Sequence, residues 1–140
     1  MRRFLLLLAL LSAFTLLLVA CGGGGDEEAT ETTSLADAVA RGEALYKGTT
    51  IGAASAPGCV TCHSLEEGVT LVGPSHAGIG TAAASRVPGM SAEEYLHQSI
   101  VEPDAHLEDD FSPGVMYQNY GTDLTEQQIN DLVAFLMSQK

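Results

Sequence analysis

Tryptophan is missing from this 140-residue chain, and its aromatic complement is four Tyr and four Phe. A core built from so few large side chains is short of bulk unless something other than protein fills it. Basic residues are scarce too: six Lys and Arg face eighteen Asp and Glu, for a formal charge of −12. That balance argues against DNA or RNA as a partner, because phosphate recognition needs a basic face. No run of alternating apolar and polar residues is present, so no sheet is expected, and no internal repeat is visible. Cysteine occurs three times. In an exported protein that odd number demands an explanation.

What is present begins with an address. Met1-Arg2-Arg3 precedes an almost wholly apolar run over residues 4–20, the pattern of an export signal. Leu18-Val19-Ala20-Cys21 resembles the bacterial lipoprotein cleavage box, whose Cys is lipidated and becomes the new N-terminus. The competing reading is an uncleaved membrane anchor, with Cys21 a bystander. Both readings put the remainder outside the cytoplasmic membrane, held at its outer face. Gly22 to Gly25 and the acidic stretch through Thr33 are poor in apolar residues and read as a solvated tether. The expected division is a signal over 1–20, a lipidated tether over 21–34 and one folded domain over 35–140. Cleavage leaves Arg41, Lys47, Arg86 and Lys140 against eighteen carboxylates, a formal charge of −14.

The folded part shows three helix starts. Ser34 with Asp37, Ser91 with Glu94 and Thr125 with Gln128 each have the spacing of a capping box. The first leads into a stripe of Leu35, Ala38, Val39, Gly42, Leu45 and Tyr46. The second leads into Tyr95, Leu96, Ser99 and Ile100, and must stop near Pro103. The third leads into Ile129, Leu132, Val133, Phe135 and Leu136. Between them, residues 47–58, 64–89 and 103–124 are long and rich in Gly, Ala, Ser and Pro. Loops of that length in a small all-α domain make sense when they wrap something.

The chemistry is concentrated at Cys59-Val60-Thr61-Cys62-His63, a C-x-x-C-H sequence and the attachment signature of c-type haem. Two thiols three positions apart on a tight turn can reach the two vinyl groups of one haem, with the adjacent His beneath the iron. Alternatives exist. Structural zinc would need a fourth ligand from His76, His97 or His106. A thioredoxin-like pair should sit near a βαβ pattern, which is not visible, and a simple Cys59–Cys62 disulfide is rarer still. Haem attachment also accounts for the cysteine count, with Cys21 lipidated and the other two in thioethers.

From about Leu35 to the end, the chain resembles class I monohaem cytochromes c. The resemblance implies an all-α cytochrome c fold, with three main helices and long loops wrapped around one covalent haem. It matches Gly42 and Tyr46 to a Gly and an aromatic four positions apart in the family's first helix, and implies that the aromatic of the last helix, which reads Asp131-Leu132-Val133-Ala134-Phe135-Leu136, packs over Gly42. It matches Gly73-Pro74 to a pair whose Pro carbonyl accepts the second ring nitrogen of the ligand His. It places the sixth iron ligand at Met116, although family members often have Pro where this chain has Tyr117. Met90, a histidine or an open site are the alternatives, and Met137 reads as packing. Residues 47–58 exceed the usual spacing before the motif and read as an exposed insertion.

The expected haem walls are Leu71, Val72, Ile79, Tyr95, Leu96, Ile100, Phe111, Val115, Leu132 and Phe135. Tyr117, Tyr120 and Arg86 are candidate propionate contacts, and His76, His97 and His106 are expected to be ordinary polar or surface residues. With His63 and Met116 both on iron, the expected role is electron transfer and not catalysis. Three functions compete: a membrane-tethered carrier between respiratory or photosynthetic complexes, a fixed subunit of a quinol-oxidising or oxidase complex, and a haem enzyme or gas sensor with a displaceable Met. The acidic charge implies redox partners with a basic or mainly apolar docking face.

Overall fold

The computed structural model describes residues 34–140. The expected signal, the tether through residue 33 and the Cys21 lipidation site lie outside the described residues. Helix α1 spans Leu35–Lys47. Ser34 Oγ accepts the Asp37 N–H at 3.2 Å, and the Asp37 carboxylate takes the Ser34 hydroxyl at 2.7 Å. This is half of the expected capping box, since the carboxylate meets the cap's side chain and not its backbone. Lys47 lies in the last turn, where its charge suits the negative end of the helix dipole.

Helix α3 (Ala92–Val101) and helix α5 (Glu126–Ser138) start with complete capping boxes, Ser91 with Glu94 and Thr125 with Gln128. In α3 the cycle closes at 3.2 Å to the Glu94 N–H and 2.8 Å back to the Ser91 N–H. As expected, α3 ends before Pro103. Two one-turn helices lie within the segments read as loops: α2 over Ile79–Ala82 and α4 over Tyr120–Asp123. Each is a single turn, too short to display an apolar period, and the sequence pattern passed over both for that reason.

The core forms where α1 crosses α5. Gly42 makes that crossing possible, because a Cβ there would fall 1.9 Å from the Asp131 carbonyl oxygen. One turn on, the fully buried Tyr46 lies with its ring 5.2 Å from that of Phe135, tilted by 50°. Beside them Asp131, 2% exposed, takes both Arg41 Nε and Nη2, at 2.7 and 2.6 Å, and Gln127 Nε2 at 2.9 Å. Three donors satisfy a carboxylate that would otherwise be expensive to bury, and they hold its pKa below the ordinary range. Leu35, counted in the apolar stripe, is instead largely exposed.

Residues 47–58 correct two expectations. They contain a small antiparallel hairpin, β1 (Thr50–Ile51) paired with β2 (Ala56–Pro57), where no sheet was foreseen. Two-residue strands cannot show an alternating pattern. Nor is the segment simply an exposed insertion: Ala53 to Ser55 at its tip are exposed, but Ile51 and Ala56 are in the core. Its base closes tightly, with the Gly58 N–H on the Thr49 carbonyl at 2.9 Å. The Tyr120 hydroxyl donates to the Pro57 carbonyl at 2.6 Å, tying the hairpin to α4.

Candidate functional site

The five-residue motif is wound into one tight turn. Cys59–Thr61 form a 3₁₀ turn, and the Cys59 carbonyl accepts the N–H groups of both Cys62 and His63, at 3.1 and 2.9 Å. The turn leaves both thiols part-buried, with no disulfide between them, and puts the His63 ring inside. Burial pushes the Cys59 thiol up to about 11.

His63 is 8% exposed and its Nδ1 is 2.8 Å from the Pro74 carbonyl oxygen. A carbonyl only accepts, so the ring's proton resides on Nδ1 and its Nε2 lone pair stays available to a metal. Burial lowers the pKa of the ring, against the opposing pull of the Pro74 carbonyl. The imidazole is therefore neutral at physiological pH, the form that coordinates metals. The turn bearing Pro74 is tied to the motif by the Gly73 N–H on the Cys62 carbonyl at 2.9 Å. Gly73 has no room for a side chain, since a Cβ would lie 2.4 Å from His63 Cε1.

One neighbour escaped the sequence reading. His76 is not an ordinary polar residue, because its ring stacks on His63 with centroids 3.9 Å apart and planes 15° from parallel. Burial, reinforced by the His63 ring, lowers its pKa to about 3, so it too is neutral. His97 and His106 do behave as polar side chains, near Glu126 and Gln98 respectively.

Met116 is part-buried against the core, as are Met90 and Met137. Its loop is pinned by Asp104, whose carboxylate accepts the Gly114 N–H at 2.9 Å and the Gln118 side-chain amide at 3.3 Å. The sequence offered no signal for Asp104 beyond an acid in an acid-rich chain. Of the expected walls, Ile79, Tyr95, Leu96, Ile100, Leu132 and Phe135 are in the core, whereas Leu71, Val72 and Val115 are exposed. The polar ends of the expected propionate contacts have protein partners. The Tyr117 hydroxyl donates to Asp123, and Arg86 pairs with Glu108 at 2.5 Å. Tyr120 is occupied by Pro57. These pairings give a propionate role no support.

Among the described residues, no group of three or more His, Cys, Asp or Glu is assembled as a metal site, so the zinc alternative lacks a ligand set. The sole sheet among them is the short antiparallel hairpin, which is not the βαβ setting of a thioredoxin-like pair. No helix among them is long and apolar enough to cross a membrane.

The family model described as cytochrome c matches residues 39–140. The chain belongs to the cytochrome c family, and the five helices with little strand among the described residues are the all-α fold of that family. Comparison with curated proteins and with solved structures returned no match. Membership implies haem-based electron transfer with covalently bound haem c.

The residues present fit that group. Two unpaired thiols and a neutral imidazole with a free Nε2 are gathered within one turn. Apart from Leu35, the exposed large apolar residues are Val60 in the motif, Leu71 and Val72 before Gly73, and Leu107 and Val115 on the approach to Met116. A large apolar ring system held by the motif would take such surfaces out of water, at about 25 cal/mol per Å².

Proposed function

We propose that this chain is a membrane-tethered electron carrier with a single haem. Cys59 and Cys62 would hold the haem through thioethers, His63 and Met116 would ligate its iron, and lipid on Cys21 would hold the domain to the outer face of the cytoplasmic membrane. The observation that carries this reading is the 2.8 Å contact of His63 Nδ1 with the Pro74 carbonyl, in a C-x-x-C-H turn whose thiols are unpaired. It sets the tautomer, directs Nε2 to the metal and stiffens the ring.

The haem supplies an iron that exchanges one electron, and the protein's task is to keep that iron six-coordinate and shielded. The Met116 thioether favours the ferrous state and raises the potential. Together with His63 on the iron, it would leave no position for oxygen or peroxide. The alternative of a fixed subunit in a larger complex drew on residues 47–58 as a docking surface. Burial of Ile51 and Ala56 commits the middle of that hairpin to the core, while Lys47, Thr49, Thr50 and the tip are exposed. Mobile carriage between membrane complexes is the preferred reading because the long acidic, Gly-rich stretch ahead of the domain suits a mobile head.

The test is Met116→Ala in the exported protein. Haem should remain attached, the midpoint potential should fall, and the reduced protein should bind carbon monoxide, which the unmodified protein resists. Persistence of the methionine–iron absorption band in that variant would reject Met116 as ligand.

A further inference from the structure

His76 sits where a purely apolar residue would pack at less cost. Its Nδ1 is buried without a hydrogen-bond partner, and an unsatisfied buried polar atom carries a desolvation penalty that an apolar group of the same shape avoids. Packing alone therefore does not account for an imidazole here. Its surroundings make it a stop. The His76 backbone N–H is bonded to the Ser64 carbonyl at 2.8 Å, which fixes its Cα one residue past the end of the motif. On one side its ring lies 3.9 Å from His63, and it also meets Tyr46 at 5.8 Å, tilted by 57°. Tyr46 is in turn 5.2 Å from Phe135. A continuous series of rings thus runs from α5 through α1 and His76 to His63.

The Pro74 hydrogen bond holds one atom of the His63 ring, and a single bond leaves a hinge. A flat ring stacked 15° from parallel removes the remaining tilt, since any rotation would drive an edge of one imidazole into the face of the other.

We propose that His76 is a positioning residue for the iron-ligand imidazole, setting the plane of His63 by face-to-face stacking. The proposal rests on His63 being the iron ligand. It requires only the flat face of the ring, so a phenyl ring should serve and an aliphatic chain should not.

The experiment uses the exported haem-bearing full chain and its His76→Phe, His76→Leu and His76→Ala variants. Ferric electron paramagnetic resonance and the order of the haem methyl proton shifts both report the orientation of an axial imidazole. His76→Phe should keep the wild-type g values and methyl order. His76→Leu, which retains bulk if the Ala variant fails to fold, should change both and shift the midpoint potential with haem still attached. Wild-type spectra from His76→Leu, or equal departures in the Phe and Leu variants, would overturn the stacking role while leaving the carrier reading intact. Absence of covalent haem from the unmodified protein would overturn both.

Discussion

At His63 three residues meet a single ring: Pro74 through its carbonyl, Gly73 through its missing side chain and His76 through its face. The backbone oxygen chooses the tautomer and the glycine allows the main chain to approach. Gly73→Ala puts a methyl 2.4 Å from Cε1, and overpacking of this kind typically costs about 1–3 kcal/mol. Because the displaced neighbour is the proposed ligand, the loss should appear in the site before the fold. The expected outcome is a fall in haem incorporation per molecule of exported chain, measured by absorbance against total protein. The grouping of Cys59, Cys62 and His63 and the contact of His63 with Pro74 could be read from the motif and its resemblance. His76 could not, since nothing in its neighbours along the chain reveals that the turn folds it back over the motif.

Among the elements, the crossing of α1 and α5 carries most of the architecture, and it depends on two features of different kinds. The first is Gly42, where any Cβ meets the Asp131 carbonyl. Backbone cannot give way as a side-chain tip can, so Gly42→Ala should destabilise the domain by about 3 kcal/mol, seen as a lower thermal midpoint of the haem-bearing protein. The second is the Arg41–Asp131 pair. Arg41 depresses the carboxyl below its ordinary value of 3.8. Its stabilisation is therefore fully present above that value and is lost as pH falls through the lower folded value.

Arg41→Ala should cost about 2 kcal/mol at neutral pH, as expected for charge-assisted hydrogen bonds. The gap from wild type should narrow in acid, and denaturant titrations at neutral and acid pH measure both effects. The three long helices were legible because each pairs a capping signal with an apolar period. The hairpin and the one-turn helices α2 and α4 were not, because segments of two to four residues have no period to read. The close approach at Gly42 was legible from a glycine inside a helical stripe, and the resemblance added which helix approaches it.

For the whole molecule, charge and core tell complementary stories. The scarcity of large side chains is consistent with a domain organised around a cofactor, and among the described residues the exposed large apolar ones other than Leu35 fall on the motif or on the segments flanking the proposed ligands. Among the described residues, acidic side chains far outnumber the salt bridges they form, which leaves negative charge to steer a partner. With a basic docking face opposite, the second-order rate of electron transfer should drop at least about tenfold between low salt and physiological ionic strength, as the Debye length shortens to about 8 Å. Stopped-flow reduction by a cationic redox protein at several salt concentrations reads this directly, and a flat profile would contradict electrostatic steering. The family-level fold and the haem chemistry were legible from one pentapeptide and the helix pattern. The partner is not encoded so locally, because docking draws on charge spread over the whole surface.

The central claim is that this chain holds one haem covalently through Cys59 and Cys62. The most direct test is the intact mass of the exported protein after full denaturation. The predicted result is the chain plus one haem, with the addition mapping to a peptide containing Cys59 through His63. A denatured chain at its apo mass, or haem that separates on denaturation, would contradict it.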